Sequence, residues 1–176
     1  LTIVLTYENG KLVSGVTRGN GIIGEVVTEN VKKFKNIPLS INYTGRLVLR
    51  GEAIIKYSDF EKMNVDSEYK NPRNLCSGSV RQLDSSVTAE RNVNCIIFAL
   101  IEASSELSNY KDKNFEWLRS LGFETVEYVK VDKNNLKDEV LNYKEKIKTY
   151  DIPSDGLVLT FNDIEYGNSL GSTAKY

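Results

Sequence analysis

Histidine is missing altogether from this 176-residue sequence. That excludes a histidine-centred metal site, a Ser–His–acid triad and any imidazole acid–base chemistry. The cysteines number two, Cys76 and Cys95. They are too few for a disulfide framework or a zinc cluster, and they suit a reducing, cytoplasmic compartment. Long apolar runs are also missing. The longest, Ile96 to Ile101, has the length of a strand and falls far short of the ~20 residues of a membrane span. Neither sign of charge is in excess: 23 Lys and Arg face 24 Asp and Glu. A global basic footprint for nucleic acid is therefore absent, while a local one stays open. No charged n-region or cleavage site marks a signal peptide. What remains is a globular composition, 40% hydrophobic and 27% charged, with ten Tyr and six Phe, enough for one core. The sequence opens at Leu1 inside a strand-like alternation and closes on Lys175-Tyr176 with no capping pattern. The expectation is a single domain core, residues 1–176, taken from a longer protein.

Periodicity organises the chain. Leu1 to Tyr7 alternates as a strand, and Asn9-Gly10 signals a hairpin because both residues tolerate positive φ. Lys11 to Thr17 is the returning strand, and Gly19, Gly21 and Gly24 make a glycine-rich loop. Glu25 to Phe34 reads as a helix, with Val26, Val27, Asn30 and Val31 at helical spacing. Arg46 to Lys56 reads as a strand, and Tyr57 to Asn64 as a short helix with Ser58 as N-cap. Asn71-Pro72 starts a helix running to about Leu83, with Asn71 as cap and Pro72 at the first position. Cys95 to Glu102 is a buried strand, and Asn114 to Leu121 a helix stopped by Gly122. Strands follow at Thr125 to Val131 and Leu157 to Phe161, around a helix from Asn134 to Thr149. Ala103 to Lys113 reads as a polar surface loop. This order of elements predicts an α+β domain with mainly antiparallel sheets.

Four segments carry groups with chemistry. In Thr17-Arg18-Gly19-Asn20-Gly21, a glycine-rich turn beside one forked cation suits a phosphate or a ribose edge; an ordinary solvated turn is the competing reading. In Arg50-Gly51-Glu52, glycine admits close approach to the backbone. The carboxylate could accept a pair of ribose hydroxyls, or form a plain strand-end salt bridge. Arg73 and Arg81 flank Ser77-Gly78-Ser79 on one predicted helix and point to broadly one side. That spacing suits phosphate recognition, or is two surface arginines. Asp155-Gly156 stands before an apolar strand, where a carboxylate can hold Mg²⁺ or a hydroxyl, although turns contain this pair constantly. Phe98 could stack on a base, or belong to the core.

Taken together and in order, these segments resemble the adenylation (nucleotidyltransferase, ATP-grasp-like) domain of bacterial NAD-dependent DNA ligases. The similarity spans the chain. It runs from Leu1–Gly10 through Thr17–Gly21, Gly24-Glu25, Asn36-Ile37-Pro38-Leu39 and Leu49-Arg50-Gly51-Glu52. It continues through Asn71-Pro72-Arg73-Asn74, Gly78-Ser79, Arg81-Gln82-Leu83-Asp84, Thr88-Ala89 and Arg91, to Ser154–Leu159 and Leu170–Thr173. The resemblance implies a lysyl-AMP intermediate made from NAD, with Mg²⁺, and the sealing of 5′-phosphate/3′-hydroxyl nicks in duplex DNA by a cytoplasmic monomer serving replication or repair. It implies that Arg18 and Glu52 hold the adenosine ribose, that Phe98 covers adenine and that Gly156 lies at the nucleotide. Arg73 and Arg81 would meet phosphates or DNA, Glu25 would lie near the nick, and Asp155 would support the reacting phosphate or its metal. No resident metal ligand set is implied.

The sequence also departs from that pattern. The family's Lys-x-Asp-Gly, whose Lys is the nucleophile, would stand just before Leu1, and its final Lys motif just after Tyr176. The family's Lys at the end of the Asp-Gly strand is Thr160 here, and two of its Asp are Asn20 and Val26. These 176 residues alone are therefore expected to be inactive. Thr160 leaves open a replacement cation elsewhere, a weakened enzyme or a non-catalytic nucleotide- or nick-binding paralogue. The donor, NAD or ATP, is inferred from motif style alone.

Overall fold

A computed structural model describes residues 1–19, 23–65 and 68–171. Its frame is one four-stranded antiparallel sheet in the order β2-β1-β3-β4. The strands are β1 (Thr2–Glu8), β2 (Lys11–Thr17), β3 (Leu47–Ile54) and β4 (Asn94–Ala103). The hairpin between β1 and β2 turns on Asn9 and Gly10, at φ 50° and 74°, as the Asn-Gly pair predicts. Strand alternation divides the sheet. Ile3, Leu5, Tyr7, Leu47, Leu49, Ala53, Cys95 and Ile97 face a hydrophobic core. Thr2, Val4, Thr6, Arg50 and Glu52 alternate with them toward the opposite face.

Helices α1 (Thr28–Val31), α3 (Pro72–Val80), α4 (Ser85–Glu90) and α5 (Lys111–Ser120) each bury residues, and α2 (Tyr57–Met63) packs Phe60 and Met63 against the core. The helices α6 (Leu136–Lys146) and α7 (Ile164–Ser169) bury none. Val31, Leu75, Cys76, Val80, Leu118 and Phe123 fill the core, and Tyr7 packs edge-on against Phe123 at 5.3 Å between ring centroids. The Tyr7 hydroxyl donates to the Pro38 carbonyl at 2.7 Å, so its burial leaves no polar group unpaired. Among the described residues no helix is long and apolar enough to cross a membrane.

Several expectations are corrected. The helix expected over residues 25–34 shortens to α1, because Val26 forms a bridge with Val16 and starts no helix. Ser58 is not a cap. Lys56 occupies that position, and Asp151 reaches across the sequence to accept from the Ser58 backbone N–H at 2.8 Å and its hydroxyl at 2.7 Å. The strand expected over 125–131 reduces to one parallel bridge, Ile97–Thr125. Phe98 is left out of the β3–β4 ladder, where Arg50 faces Ala99 and Gly51 faces Ile97. Such a bulge bends an edge and ends further pairing there. The segment 157–161 is no strand either. Its alternating residues lack a neighbour to pair with among the described residues, and Val158 is 92% exposed. The polar stretch after β4 is shorter than expected, since α5 already begins at Lys111. The helix α7 was not expected; Asp163 caps it, accepting from the Tyr166 N–H at 2.8 Å.

Candidate active site

A cavity of about 380 Å³ opens where β1 begins and β3 ends. Glu52 and Ala53 form its strand wall, Asn71, Pro72, Arg73 and Cys76 its helical wall, and Leu1 and Pro153–Asp155 its rim. The register explains the assembly. Thr2 faces Glu52, which faces Ile96, while the Arg18 N–H donates to the Thr2 carbonyl at 3.0 Å. One row across the sheet thus joins positions 18, 2, 52 and 96. Glu52 accepts from the Leu1 backbone nitrogen at 2.5 Å and from the Thr2 hydroxyl at 2.9 Å. The carboxylate is held with both oxygens turned to donors, an arrangement that two vicinal hydroxyls could replace.

The remaining candidates separate into two groups. Arg73 joins the cavity, its guanidinium 4.0 Å from Asp155, with side chains 76% and 98% exposed. So loose and wet a pair is worth little by itself, and either group is free to turn to a ligand. Gly156 beside it is open; an added Cβ would meet nothing within 4 Å. Arg81 does not line the cavity and has a different carboxylate partner. It lies just past α3, its Nε donating to Glu25 at 2.5 Å and its Nη1 to the Ser77 hydroxyl at 2.6 Å. Phe98 is 41% exposed at the bulge, so it is not a core residue. Arg18 and Gly19 lie at the sheet edge, exposed. Asn20, Gly21, Ser172 and Thr173 lie outside the described residues.

Residues to which the sequence reading gave no site role set this geometry. Thr17, 2% exposed, accepts from the Glu25 N–H through its hydroxyl at 2.9 Å and donates its own N–H to the Glu25 carbonyl at 2.9 Å. Gly24 is obligatory, since a Cβ there would stand 1.9 Å from the Thr17 carbonyl oxygen. Buried Asn30 donates to the Gln82 carbonyl at 2.9 Å and the Thr88 hydroxyl at 3.0 Å, and Thr88 donates to the Ser79 carbonyl at 2.8 Å. The backbone on both sides of Arg81 is therefore fixed from α1 and α4. The available signal was an Asn within the apolar stripe of residues 26–31.

The chemistry that the cavity supports is binding and orientation. Burial pushes the Cys76 thiol up to about 12, so it is protonated and not a nucleophile at neutral pH. Among the described residues no group of three or more carboxylate or thiol side chains could cage a metal. A larger open hollow of about 490 Å³, lined by Asn36, Arg119 and residues 122–125, gathers none of the candidate residues.

The sequence matches, over residues 1–176, the family model of the NAD-dependent DNA ligase adenylation domain. The chain belongs to that family. It is 56% identical over 183 residues to a DNA ligase of Lachnoclostridium phytofermentans, covering 100% of this chain and 28% of the relative. Identity is 54% over 182 residues to a DNA ligase of Ruminiclostridium cellulolyticum, again covering 100% and 28%. It is 38% over 177 residues to one of Mycoplasmopsis agalactiae, covering 100% and 27%. The chain therefore spans under a third of the length of the curated relatives it matches. The α+β architecture with its antiparallel sheet is that of an adenylation domain.

Proposed function

We propose that this chain is the nucleotide-holding core of an NAD-dependent DNA ligase, which joins 5′-phosphate and 3′-hydroxyl ends at nicks in duplex DNA. The observation that carries the reading is the cavity. It gathers Leu1, Glu52, Arg73 and Asp155, which are far apart in sequence, at one opening of a size suited to a small ligand. A Lys-x-Asp-Gly preceding Leu1, as in the family, would bring its amine to the rim of that opening.

In this reading the Lys amine attacks the adenylyl phosphorus of NAD. A P–N bond forms, the P–O bond to nicotinamide mononucleotide breaks, and the mononucleotide leaves. The adenylyl group then passes to the 5′-phosphate of the nick, and the 3′-hydroxyl displaces AMP. Each step is phosphoryl transfer, so the protein contributes position and charge. Glu52 accepts the ribose hydroxyls in place of its present donors, and Arg18 stands two strands away at the same end of the sheet. Phe98 offers an open ring face for adenine. Arg73 turns from its loose pair with Asp155 toward phosphate. Arg81 and Glu25 contact the DNA side of the site. Mg²⁺ supplies charge neutralisation at the phosphates. Asp155 fits it as a single exposed carboxylate, since this ion commonly keeps water and takes only one or two protein carboxylates. A cytoplasmic monomer suits the two free thiols. One observation favours a second reading, a non-catalytic paralogue: Thr160 in place of the family's Lys.

The test is the full-length gene product incubated with Mg²⁺ and either NAD⁺ or ATP, followed by intact mass spectrometry. Covalent AMP from NAD⁺ alone is expected, together with sealing of a nicked duplex. No adduct from either donor would refute the ligase and leave the binding paralogue.

A further inference from the structure

We propose that Lys111 is a catalytic cation of the adenylyl-transfer site, acting through space from the position where Thr160 lacks a charge. The inference rests on the ligase reading above and identifies a residue that reading does not use.

The contact is direct: the Lys111 ammonium donates to the Thr160 hydroxyl. The two residues are 49 positions apart, and a stapled junction brings them together. At the start of α5 the Lys111 N–H donates to the Asn162 carbonyl at 2.9 Å, and the Asp112 N–H donates to the Asn162 side-chain oxygen at 2.9 Å. The Ile164 N–H donates to the Asn109 carbonyl at 2.8 Å, and the Asn109 amide to Asp163 at 3.0 Å. Four bonds across one short junction fix the root of Lys111 relative to residues 160–164. The long flexible stem then needs only to choose its direction.

Charge and valence support a ligand-facing role. Among the described residues Lys111 forms no ion pair, while most of the neighbouring charges are committed. Asp112 is paired with Lys130 at 2.7 Å, Lys113 with Glu116 at 3.0 Å, and Asp163 caps α7. Thr160 takes one of the three ammonium hydrogens and neutralises none of the charge, so two donors remain for phosphate oxygens. The hydroxyl proton of Thr160 is likewise available to an acceptor. A hydroxyl at 160 that receives an ammonium places positive charge one hydrogen bond beyond the short side chain, where a long cationic side chain rooted at 160 would carry its own. In phosphoryl transfer such a charge stabilises the oxygens that become more negative in the transition state. Thr160 lies on the same 155–161 segment as Asp155, at its far end from the cavity rim.

The test uses the full-length protein and single-turnover formation of covalent AMP from NAD⁺. Lys111→Met should slow the step about 100-fold, the order seen when one preorganised charge-stabilising donor is removed. The melting temperature should change little, because the side chain is only partly buried, forms no ion pair, and its hydrogen bond to Thr160 is solvent-exposed. Lys111→Arg should retain most of the rate. Thr160→Lys introduced into the Lys111→Met protein should restore it, a rescue that a merely stapling role would not give. Wild-type rates in Lys111→Met, or a loss that Thr160→Lys leaves unrepaired, would overturn the proposal. The unaltered protein separates the two levels: if it forms no adduct, the ligase reading itself fails and this inference fails with it.

Discussion

Gly51→Ala tests how the strand that carries Glu52 is packed. A Cβ at this position would stand 2.4 Å from Cys95 Sγ and 3.0 Å from Ile97 Cδ1. Comfortable contact needs about 3.5–4.0 Å, so the sulfur must retreat by more than an ångström. It has nowhere to go, because Cys95 and Ile97 are each 0% exposed. Overpacking of this kind costs about 1–3 kcal/mol. Replacing glycine in a strand returns about 0.5–1 kcal/mol by restricting the unfolded chain. The net loss should be about 1–2 kcal/mol, or roughly 3–6 °C in Tm for a chain of this size. Cys95→Ala alone should cost about 1 kcal/mol through lost burial and a small void. In the double variant Gly51→Ala/Cys95→Ala the new methyl group occupies space the sulfur leaves, so the two losses should fail to add by about 1 kcal/mol or more. Urea unfolding of the chain and its three variants measures this. Additive losses, within about 0.5 kcal/mol, would refute the claim that the glycine exists to admit the neighbouring strand's sulfur.

Asn30→Ala should cost about 1–3 kcal/mol, since it strands the Gln82 carbonyl and weakens the buried Thr88 link, and in the full-length protein it should reduce nick sealing more than self-adenylation. Equal losses in both steps would show that the network does not act through Arg81. The hydrogen bond from Lys130, and then that involving the Asn162 side chain, holds the Asp112 carboxyl below the usual carboxylate range. A depressed folded pKa stabilises the fold above the unfolded carboxylate pKa of about 4 and loses that contribution as pH falls through the folded value. Lys130→Met should therefore move the acid-unfolding midpoint, followed by circular dichroism, to higher pH. An unchanged midpoint would mean that the pair contributes nothing to the fold.

Local chemistry is what the sequence determined on its own. The Asn9-Gly10 hairpin, the Asn71 cap with Pro72 behind it and the Gly122 stop are each set by the φ preference or hydrogen-bonding capacity of one or two residues, and each stands where it was read. The family was legible for the same reason, because its motifs are short and contiguous. Partnership across sequence distance was not legible. Alternation at 157–161 promised a strand, but a strand needs a neighbour and none lies beside it among the described residues. The eight-residue spacing of Arg73 and Arg81 suggested one shared face. Their carboxylate partners, Asp155 and Glu25, come from different parts of the chain, and Arg73 lines the cavity while Arg81 does not. Asp151 capping α2, Asn30 holding the backbone beside Arg81 and Lys111 reaching Thr160 are all contacts between segments at least 49 residues apart. No periodicity records such contacts. Only the folded backbone decides which polar side chains meet, because each of them could have been satisfied equally well by water.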